Sequence, residues 1–501
     1  MSTSRVERFL QYLLPSLEDV LFIAIFFSVI ALGPRLMNID GDLGRHLTLG
    51  EYMLQESVIP TQDVFSHTMA GESLTPHEWL VQVVFAVFYR LAALDGVVFV
   101  CALLIALTFL GVYRQSLKLS GGVLLSLGFS LAAAAASSLH WLARPHLVTI
   151  LFVVLWAGQL ERLRQGQGGR WWNLPLLMLF WVNLHGAFIA GFMLLGMYVA
   201  GELLEKGWGS WQRWKPWLLG GTASLAASLL NPAGWHIWAT SVGYVRNSYL
   251  VGHTAEYLPP NFHSLSTWPF LGLIALSLLL LGLRRSRVPL AHLFLVAGWT
   301  AMGLYSTRNI PLYAVLSAPI LAALARDVIQ ERKFTWFQNL QARISSVDAD
   351  LRRGYWMVLV VLGVALTFYI GHHPDLHKGA MSSSRNQFSS TTFPVQAAAW
   401  VEKYPPEGEM FNYFPWGGYL LYRLWPAQNV FIDGQTDFYG ETLTRQYERV
   451  ITLGDGWEDV LEQYGVDWVI MPVDSALSDA LRAELTWEVA YEDATAIIFV
   501  R

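Results

Sequence analysis

Cysteine is almost missing: Cys101 stands alone in 501 residues. No disulfide can form within the chain, a cysteine-based metal site is disfavoured, and a lone Cys inside a hydrophobic run reads as a small buried apolar side chain. Charge is scarce too, at 14% of residues, against about 25% in an average soluble protein. A nucleotide-binding glycine fingerprint is absent. Trp416-Gly417-Gly418-Tyr419 has the wrong spacing and reads as a tight turn after a strand. There is no internal repeat. No small-residue cleavage pattern follows the first hydrophobic span, so Arg5 and Arg8 in front of it indicate a retained signal anchor.

Apolar surface is abundant instead: 54% of residues are hydrophobic, Trp numbers 22, and mean hydropathy is +0.38. The expected class is a polytopic α-helical membrane protein. Runs of about 17 or more apolar residues, the length a bilayer core requires, recur from Val20 to Ile370. Spans near 20–36, 97–113, 121–138, 145–160, 172–184, 187–204, 217–230, 267–283, 289–306, 310–325 and 355–371 give about eleven crossings. This count leaves 19 of the 25 Lys and Arg residues before Gly371 on the inner side, as the positive-inside rule demands. It requires Trp79 to Ala93, interrupted by Gln82 and Arg90, to lie in the outer interface or to re-enter without crossing. Pro175 and the His185-Gly186 break leave 172–184 and 187–204 open to being one bent element. The expected placement is the cytoplasmic (inner) membrane, multi-pass, with the N-terminus inside and the C-terminus outside.

Composition changes after Gly371. Residues 372–501 hold 19 of the 38 acidic residues and eight basic ones, so they carry about −11. The organisation expected is a membrane domain over 1–371 that includes a first outer loop at 38–96, a linker at 372–392, and an extracytoplasmic α/β domain at 393–501. Strands are expected at Met410–Tyr413, Asn429–Ile432, Trp468–Met471, Val489–Tyr491 and Ala496–Val500, alternating with helices and closing on a hairpin at Glu492-Asp493-Ala494-Thr495. Asp433-Gly434-Gln435-Thr436-Asp437, after a strand, is either a ligand loop or a capped strand-to-helix turn.

Chemistry concentrates in the first outer loop, which opens Asn38-Ile39-Asp40-Gly41-Asp42-Leu43-Gly44-Arg45-His46 and closes Thr75-Pro76-His77-Glu78-Trp79. Unpaired carboxylates beside lipid are costly, so this cluster marks a polar cavity or a wet loop. A solvated turn is the bland alternative for Asp40-Gly41-Asp42. Asp63, preceded by Pro60, reads mainly as a turn or helix cap. Histidines fall almost entirely on the outer side, and with Arg45, Arg144, Arg246 and Arg308 they describe an outward cavity able to hold an anionic headgroup. Asp40 and Asp42, with His77, also leave open a magnesium or manganese site, which spacing does not decide.

Asp42, followed by Arg45 and His46 and a helix-like stretch to Gln55, resembles the first extracytoplasmic loop of the GT-C lipid-linked-sugar glycosyltransferases, the superfamily of protein O-mannosyltransferases and aminoarabinose transferases. Leu43 stands where those enzymes often carry a second acid, which here comes earlier, at Asp40. Arg308-Asn309-Ile310-Pro311-Leu312-Tyr313, leading into Pro319, is similar to their basic, aromatic and proline pattern before a late span. The resemblance implies a glycosyltransferase moving a sugar from a polyprenyl-phosphate donor to an envelope acceptor at the outer face. Asp42 or Asp40 would be the catalytic base. Arg45, His46, His77, Glu78, Arg144, Arg246 and Arg308 would bind substrate, with the basic residue of the late span facing the lipid phosphate. The partners implied are a polyprenyl-phosphate sugar, membrane lipid and an envelope acceptor; no nucleic acid is expected. Two other classes compete. A transporter should show related halves and charges deep within spans, which are not visible. A membrane scaffold docking through its outer domain, with exposed Trp416, Trp425 and Tyr439, stays open.

Overall fold

The computed structural model describes residues 13–167, 170–351, 353–373 and 386–501. The anchor reading at Arg5 and Arg8, most of the linker and His377 lie outside them. The first helix, α1 (Leu17–Ala31), starts at a capping box in which Ser16 and Asp19 satisfy each other's backbone. The expected span 20–36 breaks at Leu32, where Gly33 and Pro34 open a second short helix, α2 (Gly33–Asn38). Next comes α3 (Asp42–Glu56), the stretch expected to be helical after Asp42.

The segment Trp79–Ala93 is continuous with the following span in one 42-residue element, α4 (Trp79–Ser120). It is broken at Ala92 and at Ala93, whose φ of 48° no β-carbon favours. A side chain at Gly96 would meet the Phe88 carbonyl at 2.0 Å, so the two halves turn tightly against each other. The first half packs on α3: Arg90 holds Glu51 at 2.7 Å. Then follow α5 (Val123–Ser137), α6 (His146–Arg164), α7 (Asn173–Leu184) and α8 (Ile189–Lys206). Extended backbone at His185 separates α7 from α8, so these are two helices. The bundle continues with α9 (Trp211–Ala227), α10 (His236–Arg246), α11 (Ser248–His253), α12 (Trp268–Leu283), α13 (Leu290–Tyr305), α14 (Ile310–Glu331), α15 (Thr335–Ala349) and α16 (Tyr355–Gly371). Among the described residues, six helical stretches are long and apolar enough to cross a membrane: Trp79–Ser120, Val123–His140, His146–Arg164, Gly186–Lys206, Leu265–Leu283 and Thr307–Glu331. Asn173–Leu184, Leu290–Tyr305 and Tyr355–Gly371 are shorter apolar helices.

The C-terminal residues run α17 (Val395–Lys403), β1 (Glu409–Asn412), α18 (Gly417–Leu424), α19 (Thr436–Ile451), α20 (Trp457–Gln463), β2 (Val466–Pro472), α21 (Ala476–Ala483), β3 (Glu488–Glu492) and β4 (Ala496–Val500). The sheet order is β1-β2-β4-β3. β1 pairs parallel with β2, and β4 runs antiparallel to both β2 and β3. Two expectations fail. Asn429–Ile432 joins no sheet, because the Asn412 side chain takes its backbone groups, accepting from Phe431 N–H at 2.8 Å and donating to the Ile432 carbonyl at 2.9 Å. Trp416-Gly417-Gly418-Tyr419 enters a helix and is no turn. Its glycines are required by close approach: a β-carbon would lie 2.2 Å from the Ile432 carbonyl at Gly417 and 2.4 Å from the Gly41 carbonyl at Gly418.

Loop and domain are built together. Leu49, Met53 and Phe65 share one apolar core with Met410, Trp416, Leu420, Trp468 and Ile498. Val430 pairs with Ser66 as an isolated parallel bridge. Trp416 and Tyr439, expected to be exposed, are buried at 4% and 3%, while Trp425 is half-buried.

Candidate active site

Asp40 and Asp42 sit where the chain leaves α2 and starts α3. An Asp40 oxygen accepts the Asp42 N–H at 2.8 Å, which fixes the turn. Arg144, in the short segment before α6, reaches them both: one terminal nitrogen lies 2.6 Å from Asp40 and 2.5 Å from Glu256, the other 2.5 Å from Asp42. Glu256, between α11 and α12, also stands 3.7 Å from Arg308 at the head of α14. The Arg308 guanidinium lies over the Tyr257 ring and donates to its hydroxyl at 3.0 Å. Three carboxylates and two arginines from four separate segments thus form one chain of ion pairs.

They line a cavity of about 860 Å³, together with Arg45, His46, His77, Glu78 and Arg246. Its other wall is apolar, with Ile189 and Met193 of α8, Trp299 and Met302 of α13, and Pro311 and Leu312 of α14. Gln435, Thr436 and Asp437 of the C-terminal residues also line it. A β-carbon at Gly434 would lie 1.7 Å from the Asp42 carboxylate, so only glycine lets this domain come so near. Every site residue expected from sequence therefore borders one space. Their surroundings differ. Arg45 is fully engaged by Asp433 and Gln435, so its guanidinium fastens the domain to α3. Among the described residues Arg246 makes no ion pair. Asp63 is a turn cap, accepting from Ser66 N–H at 3.0 Å and the Ser66 hydroxyl at 2.6 Å. His67 lies outside the cavity, 2.9 Å from the Met410 carbonyl. Glu78 sits among three imidazoles, 3.7 Å from His46, 3.9 Å from His77 and 3.4 Å from His185.

Burial raises the Asp42 carboxyl to about 7; Arg144 opposes the rise, and Asp40, Asp433 and Glu256 add to it. Burial also acts on Glu256, but Arg144 and Arg308 outweigh it and bring that carboxyl down to about 2. Burial, with Arg144 and Arg45, keeps His46 neutral, well below its usual value. At His77 burial is outweighed by Asp437 and Glu78, which favour the charged ring. The site thus holds one carboxyl poised near neutrality beside fixed cations, the arrangement of a proton acceptor next to an anion site.

The divalent-cation alternative does not fit these side chains. The Arg144 cation already fills the point between Asp40 and Asp42, and His77 faces Glu78 and Asp437. Among the described residues no group of three or more His, Cys, Asp or Glu side chains is arranged to hold a metal ion.

Comparison with solved structures identifies the architecture. The chain superposes on the oligosaccharyltransferase of Archaeoglobus fulgidus with a TM-score of 0.59, covering 90% of this chain and 70% of that one at 14% identity. A second structure of that enzyme, AglB in complex with an inhibitory peptide and a dolichol-phosphate, matches with the same TM-score at 13% identity, covering 90% and 69%. ArnT from Cupriavidus metallidurans, bound to undecaprenyl phosphate, matches over 96% of this chain and 97% of that one, with a TM-score of 0.51 and 16% identity. The chain has the GT-C fold. It is a multi-pass membrane protein built mostly of helices, with a small C-terminal sheet. No family model matches the sequence, and no curated protein does. Within this GT-C fold, sequence reading missed Glu256, although it is the one acidic residue between Glu205 and Asp327. Such isolation in an apolar stretch was the available signal.

Proposed function

We propose that this protein is a membrane glycosyltransferase that moves a sugar from a polyprenyl-phosphate donor to an envelope acceptor at the outer membrane face. The observation that carries this reading is Asp42, its carboxyl poised near 7, in a cavity shared by guanidinium groups and an apolar wall. The lipid phosphates bound by ArnT and AglB support it by analogy of fold. The apolar surfaces of α8, α13 and α14 hold the first isoprene units, and Arg308 and Arg246 take the phosphate. Asp42 receives the proton of an acceptor hydroxyl as its oxygen attacks the anomeric carbon. The bond from that carbon to the phosphate oxygen breaks, and its electron pair leaves on the phosphate, stabilised by the arginines. The scaffold alternative keeps the acidic C-terminal surface and half-buried Trp425 but loses two of its three exposed aromatics, since Trp416 and Tyr439 are buried.

The test is sugar transfer from a panel of lipid-linked donors into cell-envelope acceptors by purified wild type and Asp42→Asn. Transfer by the wild type and its loss in the variant are expected. Transfer with no donor returns the scaffold reading, and undiminished transfer by Asp42→Asn removes this base. For sidedness, Ser73→Cys and Leu485→Cys should label with an impermeant thiol reagent in spheroplasts, and Ser210→Cys should not.

A further inference from the structure

We infer that the Arg144 guanidinium is the built-in counterpart of a divalent cation, so that this transferase site works with a covalently attached cation in place of a metal. The inference rests on the proposed transfer reaction for its role and on geometry for its existence. Three carboxylates, drawn from the α2–α3 turn and the α11–α12 segment, converge on one guanidinium, Asp40 and Glu256 on one terminal nitrogen at 2.6 and 2.5 Å and Asp42 on the other at 2.5 Å. Hard oxygen ligands from separate segments meeting at one centre are what a magnesium or manganese site requires. Here the centre is occupied by a side chain of the same protein. The planar fork of arginine suits this role, because its two terminal nitrogens spread three carboxylates that a single lysine ammonium would draw together. The position is fixed from behind, because Ala143 N–H donates to the Leu36 carbonyl at 3.0 Å and ties the Arg144 segment to α2.

Two properties follow. Asp42 keeps a cationic neighbour through the whole cycle without metal exchange, and Glu256 links that cation to Arg308, where the departing phosphate gathers charge. With Arg144 in place Asp40, Asp42 and Glu256 are not arranged to hold a metal ion; removing the guanidinium leaves three carboxylates without their cation, free to close on a small hard one.

The experiment uses full-length wild type, Arg144→Ala, and Arg144→Ala combined with Asp40→Asn, purified in detergent, with Mn²⁺ alone as the probe and free Mn²⁺ read by electron paramagnetic resonance. The wild type should show no stoichiometric uptake, Arg144→Ala should gain one bound ion, and the double variant should lose it. Chelator should change wild-type sugar transfer by less than about twofold, whereas an enzyme that relies on a bound metal as Lewis acid loses turnover. Stoichiometric uptake by the wild type that Asp42→Asn abolishes overturns the inference. A folded Arg144→Ala protein that takes up no ion also overturns it. If Arg144→Ala does not fold, the wild-type titration decides alone. A wild type that transfers no sugar defeats the proposed function but leaves the Mn²⁺ result to decide this inference.

Discussion

Two clusters of charge lie at opposite ends of the same helices. His146 opens α6 on the cavity, and fifteen residues on, about 23 Å along the axis, Glu161 contacts Arg164 at 2.6 Å and His292 at 3.1 Å. Nearby, buried Glu202 holds Lys206 at 3.0 Å and also Arg213. These far-end pairs are mostly local, within three to eleven residues, and they staple neighbouring helix ends. The cavity cluster differs in origin: its groups come from four segments spread along the chain from Asp40 to Arg308, and they face a cavity of about 860 Å³. Burying charge is thus not by itself a sign of function; convergence on a cavity is.

That contrast can be broken most severely at Arg45. Asp433 is completely buried and paired with Arg45, so Arg45→Met strands a buried carboxylate. The cost expected is about 3–5 kcal/mol, read as a lowered thermal midpoint and faster proteolysis of the C-terminal domain. A variant as stable as the wild type would show that the fastening is dispensable.

Asp42→Asn comes next and separates chemistry from stability. Turnover should fall about 10²-fold or more. Stability should move the other way. Because the folded-state carboxyl lies near 7, ionising Asp42 costs the folded protein nothing near pH 3.8 and progressively more as pH rises to about 7, up to about 4 kcal/mol. The variant should therefore gain on the wild type across that window in unfolding scans. In the wild type kcat/KM should rise with pH through about 7 as the base loses its proton, and a flat profile would exclude Asp42 as the titrating group.

Arg308→Ala has a smaller expected effect, about tenfold or more in donor KM with a lesser change in kcat, since it removes a charge-assisted phosphate contact. Equal losses in kcat and kcat/KM would place its role in the transition state alone.

How much of this was legible in the chain follows from how far each feature reaches. Long apolar runs announce helices locally, so the second half of α4 and α6, α12 and α14 could be read directly. Asp40 and Asp42 stood out because carboxylates gathered with imidazoles beside a hydrophobic span are costly without a polar cavity. That they meet Arg144, Arg308, His77 and Glu78 in one cavity is a fact of tertiary structure. Arg45 was read as a ligand for substrate because its true partner, Asp433, is 388 residues away. The helix at Gly417–Leu424 was hidden by glycines whose purpose, close approach to Ile432 and Gly41, exists only in the folded chain. Trp416 and Tyr439 looked exposed because composition carries no information about burial.

The mildest break lies at the far end, in Glu202→Gln. Glu202 is 1% exposed, yet Lys206 and Arg213 are 40% and 29% exposed, so both cations can turn to water when the carboxylate is removed. The loss should be about 1–2 kcal/mol, that of hydrogen bonds to a charged group with resolvated partners. Turnover per folded molecule should stay within about twofold, because no atom of this cluster borders the cavity. Thermal unfolding and donor kinetics measured on the same preparation decide the matter. A fall in turnover comparable to that of Asp42→Asn, with stability unchanged, would mean that the far-end charges couple to the site, and that separation along the helix axis does not divide structural from chemical charge in this fold.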